Sequence, residues 1–368
     1  MSETNDRYRQ LGIELDALKA RVLAEVGADD LAHVERMRRI SIAAEVVGRG
    51  LLHVSLDPLT WSIGVAALWL HKQLEATEIG HTALHGAYDK VPGAERFASA
   101  DFAWDVPIDE ASWKRGHNHQ HHGNTNVAGR DPDIHFGTIR LTEQTPYAPH
   151  HRLQHLAALF LLAPNFTFGM NLHFTGAADT LATNGLGQLD VLPDRSWPSV
   201  RGAWHQALRK FVPYYGKNYV FYPLLAGPMA WKVLLGNVVA EIGRDVYSAA
   251  TIYCGHVGGD VASWPEGTRP RSRGEWYAMQ IEATNDFEVS APISILCGGL
   301  DRQIEHHLFP TMPPPRLRQI APEVRAICER HGLRYKTDTW GRTLKKALAH
   351  VKRLARDEGP RAVLREAA

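Results

Sequence analysis

Four of the chain's twenty histidines fall within six residues, in the run Trp113-Lys-Arg-Gly-His117-Asn-His119-Gln-His121-His122. Imidazole is the commonest protein ligand for zinc, copper, iron and nickel. On a helix, His117 and His121 share one face because they lie four residues apart, whereas His122 points about 100° away from His121. One helix could therefore serve two metals, or hold one and orient the ligands of another. Two other clusters answer it. Upstream, His81 and His85 in Glu78-Ile-Gly-His81-Thr-Ala-Leu-His85-Gly repeat the four-residue spacing. Downstream, in Gln303-Ile-Glu-His306-His307-Leu-Phe-Pro310, Gln303 precedes His306 by three residues and His307 by four, so all three can face one side. Each cluster alone is compatible with a solvated helix face. Three in order, spaced HxxxH, HxxxHH and QxxHH, point to a metal centre assembled from separate segments.

The elements that must position these clusters alternate between apolar and polar. Residues from Thr4 to about Arg39 read as largely helical, with Leu11, Ile13, Leu15, Leu18, Val22 and Leu23 giving a partly apolar face and Asp29-Asp30 after Gly27 as the start of a second helix. Ile40 to Leu56 and Leu59 to Leu70 are apolar runs broken by Glu45, Arg49, His53 and Pro58, and they suit a hairpin with Asp57-Pro58 at its turn. The first histidine cluster follows from the polar end of that hairpin. A third run, His155 to Phe174, is interrupted by Pro164 and Asn165, and its His173 reads as structural. Thr175 to Arg209 is polar and dotted with Gly and Pro, and reads as loop and cap. Tyr219 to Val257 is the strongest membrane candidate, with tyrosines 214, 215, 219 and 222 clustered at one end as in an interfacial belt. It carries Lys232, is interrupted at Glu241, Arg244 and Asp245, and ends at Cys254-Gly-His256.

This pattern predicts an all-α integral membrane protein, with about four transmembrane helices below a helical cap; a soluble all-α enzyme with a deep core is the competing reading. Residues 1–39 form an amphipathic helical segment, 40–343 the main domain and 344–368 a basic helical tail suited to anionic lipid on the cytosolic side. Formal charge is +1, which argues against nucleic acid as a partner. Cys254, Cys297 and Cys328 are too scattered for a zinc ribbon or an iron–sulfur site. The polar start Met1-Ser-Glu-Thr-Asn-Asp lacks the pattern of a secretory leader.

Seven histidines in three clusters exceed the three protein ligands of a catalytic zinc. His81-Thr-Ala-Leu-His85 also lacks the glutamate of a zinc protease motif. Paired Glu and Glu-x-x-His sets of the ferritin-like kind are missing. A nitrogen-rich dinuclear centre remains, and iron best combines imidazole ligation with oxygen chemistry. Asp131 or Asp133, in the turn after the second cluster, could hold the second nitrogen of a ligating ring.

The three clusters, His81-to-Gly86, His117-to-Asn126 and Gln303-to-Pro310, resemble the histidine boxes of the membrane-bound fatty acyl desaturase and hydroxylase superfamily, and among them the bacterial acyl-lipid or acyl-CoA desaturases. The resemblance runs from about Ile40 to Thr343. It implies an oxygen-activating pair of ferrous ions under a cytosolic cap, with O2 as co-substrate and both termini and the active site on the cytosolic side. A long acyl chain, carried on CoA, acyl carrier protein or a lipid, loses two hydrogens. The implied iron ligands, and the catalytic set, are His81, His85, His117, His121, His122, His306 and His307, with His256 as an additional metal ligand outside the boxes. Gln303 stands where many relatives have histidine and is counted with the metal residues, as a direct ligand or through water. Asn285 is a further candidate for holding a metal-bound water. His119 falls about 160° from His121 on a helix and is excluded as a ligand. The chain has no His-Pro-Gly-Gly haem segment, so a separate electron donor is implied, a ferredoxin or a cytochrome b5 with its reductase. Two alternatives stay open: oxygen insertion by a di-iron hydroxylase, and a membrane protein that binds metal without catalysis.

Overall fold

The computed structural model describes residues 3–135, 139–181 and 191–356. It is mostly helical, with one two-stranded parallel sheet in which Asp286–Glu288 pairs with Thr337–Thr339. The helices Ala28–Val54 and Pro58–Leu74 form the expected hairpin. Its turn is fixed by Asp57, whose carboxylate accepts from the Thr60 backbone N–H at 2.9 Å, and by Pro58 in the first helical turn, where the missing N–H costs nothing. At the start of the hairpin the Gly27 N–H donates to the Asp30 carboxylate at 3.0 Å.

Against this hairpin lies the long helix Ala230–His256, and the polarity of both is inverted. Their buried positions include Ser41, Arg49, Lys232, Asn237, Glu241, Arg244 and Asp245, while Ile42, Val46, Leu59, Trp231, Leu235 and Val246 are exposed. Arg244 is 0% exposed and Val46 68%. The interior charges are compensated by one another: Lys72 Nζ lies 2.8 Å from Glu241, Tyr214 donates to Glu241 at 2.8 Å, and Arg244 pairs with both Glu241 and Asp245. Arg49 donates to Glu45, Asn218 and Asn237.

Among the described residues, Pro149–Thr175 is the one helical run long and apolar enough to cross a membrane. Pro164 and Asn165 do not break it; the chain passes them in a single 3₁₀ turn, Ala163–Asn165, after a π turn at Ala158–Leu162. The Tyr219–Val257 segment is less apolar on average because its interior face carries the charges just named. Part of the stretch read as loop, Thr175 to Arg209, is helical: Trp197–Tyr215 forms a helix with Pro198 in its first turn.

The cap has its own core. Leu11, Leu15, Leu18 and Val22 of the helix Glu3–Glu25 are fully or nearly fully buried against Tyr277, Ile281, Ile304, Leu308 and Phe309. The N-terminal helix therefore packs on the helix Gln303–Leu308, which carries the third histidine cluster.

Candidate metal centre

The first two histidine clusters do not sit on plain α-helices. The helix Pro58–Leu74 continues as a π-helical turn, Glu75–His81, and the short helix Glu110–Trp113 continues as another, Lys114–His121. Such wide turns occur where a side chain inserts into the hydrogen-bond ladder, and they are frequent at functional sites. At the first, the Trp104 indole N–H donates to the Glu75 carbonyl at 2.9 Å. The indole fits because residue 80 is glycine: a Cβ there would lie 2.0 Å from Trp104 Nε1. Gly80→Ala is expected to lower stability by about 1–3 kcal/mol, the cost of overpacking, seen as a lower unfolding midpoint in detergent.

At the second turn, the His122 N–H donates to the His117 carbonyl five residues back, at 3.1 Å. The α spacing assumed from sequence is thereby corrected. His117 and His121 stack with centroids 5.0 Å apart and planes 23° apart, and Trp113 stacks on His117 at 4.6 Å and 24°. His122 stands nearly perpendicular to both, at 90° to His117 and 71° to His121.

The three clusters converge. His81, His85, His117 and His306 present ligand atoms within 4.8 Å of one another, and His121, His256 and His307 form a second such group. His122 lies between the two groups, its ring stacked on His307 at 4.3 Å and 4.7 Å from His85. His119 is exposed on the outside of the turn, and His173 Nε2 donates to the Pro132 carbonyl at 2.9 Å and belongs to neither group.

The outer nitrogens are held. His121 Nδ1 lies 2.9 Å from Asp131, which is itself fixed by the backbone N–H groups of Asn126 and Asp133 at 2.7 and 2.9 Å. His117 Nδ1 lies 3.2 Å from Asp133. His307 Nδ1 faces Gln280 at 3.0 Å and Thr125 at 3.1 Å, and Thr125 donates to Gln280 at 2.8 Å. The Thr125–Gln280 pair was not anticipated; Gln280 lies in a segment remote from every histidine cluster and carries no spacing signal.

The inner nitrogens are not held. Nε2 of His117, His121 and His306 and both nitrogens of His122 are buried without a hydrogen-bond partner, and His256 presents its Nε2 3.2 Å from His307 Nε2. A buried polar atom left unpaired is costly, and so many aimed at one space fit a cation set. Burial, then the neighbouring imidazoles, lowers the pKa of His81, His85, His122, His306 and His307 well below the ordinary value, so their lone pairs are free to ligate. At His121 burial opposes the charge too, but Asp131 and Asp133 raise the pKa to about 9. Once a cation takes Nε2, the same carboxylates keep the remaining proton on Nδ1. Asp131→Asn is expected to weaken metal retention by about 10- to 100-fold, measured by competition with a chelator.

Gln303 lies beside the second group, with its side-chain nitrogen 2.5 Å from His256 Nε2 and its oxygen buried and unpartnered. It reaches there over Gly255, where a Cβ would lie 2.6 Å from its Cγ. The Asn285 N–H donates to the Gly255 carbonyl at 2.9 Å, and its side-chain oxygen is also buried and unpartnered.

An apolar cleft runs past the first group, lined by Ala76, Trp104, Ile108, Phe166, Met170 and Ile252 together with His81, His117 and His256. A second space shares Asp133, Phe166, Met170, Ile252 and His256 with it and continues toward Leu141 and Val257.

Fold and site together define a mostly helical protein whose buried histidine clusters are compatible with a metal site and border an apolar cleft. The family model for fatty acid desaturases matches residues 58–339. A NADPH-dependent stearoyl-CoA 9-desaturase of Mycobacterium tuberculosis is 31% identical over 92% of this chain and 77% of its own length. An sn-1 linoleoyl-lipid 6-desaturase of Synechocystis is 26% identical over 70% of each chain, and fatty acid desaturase 3 of Bos taurus is 24% identical over 83% of this chain and 62% of its own. The chain belongs to the fatty acid desaturase family, and is thus an oxidoreductase of lipid metabolism.

Proposed function

We propose that the protein is an O2-dependent fatty acyl desaturase whose two iron ions are held by the histidines of the three boxes and His256. The observation that carries this reading is the set of buried, unpartnered imidazole nitrogens beside an apolar cleft. His81, His85, His117 and His306 would hold one iron, and His121, His256 and His307 the other, with His122 completing either set and Gln303 adjoining the second. When bound, the irons would supply the oxygen-derived oxidant that removes two hydrogens from adjacent carbons. The protein's own work is positional. Trp104, Phe166, Met170 and Ile252 confine the chain against the histidine wall, exclude water and present one pair of C–H bonds. Asp131, Asp133, Gln280 and Thr125 fix the ring orientations.

Four apolar helical units are proposed to span the bilayer: the two hairpin helices, the Pro149–Thr175 run and the Ala230–His256 helix. Their exposed apolar faces and buried charges support this reading, since lipid inverts the usual demand. Residues 40–343 would form the desaturase domain, between the N-terminal helical segment and the basic tail, with the histidine centre and both termini on the cytosolic side. The acyl group would arrive on CoA, a carrier protein or a lipid, and electrons would come from a ferredoxin or a cytochrome b5 with its reductase. Mass spectrometry of the acyl product tests the reaction. A loss of about two mass units supports desaturation, and a gain of about sixteen would mean hydroxylation.

A further inference from the structure

A third opening shares no lining residue with either of these spaces. Its walls include Asp260, Asn285, Arg334, Lys336, Asp338 and Lys346. Asn285 is among its lining residues, and its backbone N–H donates to the carbonyl of Gly255, the neighbour of His256. The opening therefore reaches within one residue of the second histidine group.

Its rim is the start of the helix Trp340–Leu354. Arg334, Arg342, Lys345 and Lys346 are exposed there, Arg342 by 76% of its side chain. Asp338 and Asp260 pair with Lys346 at 3.2 and 3.3 Å, and Asp286 is fully buried. Four exposed cations thus stand at the rim, Arg342 and Lys346 paired with Asp338 and Lys346 also with Asp260, while Lys336 is buried and Glu282 and Glu288 are exposed nearby; the helix Trp340–Leu354 itself carries no acidic residue, and Lys352 is exposed further along it. Trp340, at the head of that helix, stacks on Phe287 with centroids 5.6 Å apart and planes 15° apart. Phe287 shares a core cluster with Cys254, two residues before His256. A packed aromatic bridge thus runs from the basic rim to the end of the His256 helix.

Desaturation needs electrons from outside the substrate: –CH2–CH2– + O2 + 2 e⁻ + 2 H⁺ gives –CH=CH– + 2 H2O. We propose, resting on the desaturase reading, that this rim is the docking surface of a small acidic one-electron carrier protein, which passes its electrons inward beside Trp340 and Asn285. An acyl carrier seated here could not feed the cleft, whose lining is separate. An electron carrier needs only close approach. Opposite charge would speed its encounter and orient it.

The test uses the iron-loaded full chain with a plant-type ferredoxin and its NADPH reductase, compared with dithionite as a chemical reductant. Arg342→Glu with Lys345→Glu is expected to raise the KM for ferredoxin about tenfold at low salt and to flatten its salt dependence. Iron content and dithionite-driven turnover should hold. An unchanged KM, or an equal loss with dithionite, overturns the proposal. If the wild type turns over with dithionite but not with ferredoxin, the acidic-carrier surface is rejected while the desaturase reading stands. If neither reductant yields an oxidised acyl chain, the desaturase reading itself fails.

Discussion

His121→Ala should abolish iron retention and activity together, whereas His119→Ala, two residues away, should keep most of both. The contrast follows from geometry. His121 is 0% exposed, its Nδ1 is anchored on Asp131 and its Nε2 points without a partner at His256 and His307. The alanine variant removes one ligand and strands the buried Asp131 carboxylate opposite an empty space. His119 lies on the outer side of the same turn and faces solvent. Iron content and product formation, measured on both variants in parallel, decide the matter; equal losses in the two would overturn the ligand assignment.

Glu241→Leu should destabilise the helical frame by about 3–5 kcal/mol, the cost of removing one member of a buried ionic network. Glu241 receives Lys72 at 2.8 Å, Tyr214 at 2.8 Å and Arg244, and Arg244 and Lys72 are both almost wholly buried. With the carboxylate gone, Arg244 retains Asp245 at 3.3 Å, but Lys72 loses its ion-pair partner in the surroundings where charge is most expensive. Adding Lys72→Met should recover part of the loss, because the stranded charge leaves with it. Unfolding midpoints in detergent provide the measurement. A single variant as stable as the wild type would show that the network is hydrated rather than enclosed.

The site was far more legible in the sequence than the frame. Histidine spacing is a local signal, and the structure brings all three clusters together with His256. The first two clusters sit on π turns rather than the α turns assumed, and at the first of these Trp104 inserts at Gly80, a partner that no spacing rule reveals. The hairpin was legible through Asp57-Pro58, which acts within four residues. The helices with outward apolar faces were harder to see. Averaging hydropathy along Ala230–His256 mixes exposed Trp231, Leu235 and Val246 with buried Lys232, Glu241, Arg244 and Asp245, and only three dimensions separate the two faces. The helix Trp197–Tyr215 was hidden for a similar reason: a Trp-Pro start amid polar residues resembles a loop, although proline is at home in a first helical turn. Glu305, inside the third cluster, is 0% exposed and bonded to Tyr335 at 2.9 Å, a contact with a distant segment that local spacing does not reveal.

The central claim, that these histidines hold a dinuclear iron centre, is tested most directly by the metal content of the protein extracted gently into detergent without air. About two irons per chain, the number a dinuclear oxygen-activating site requires, is the expected result. One zinc per chain, or no bound metal at all, would contradict it.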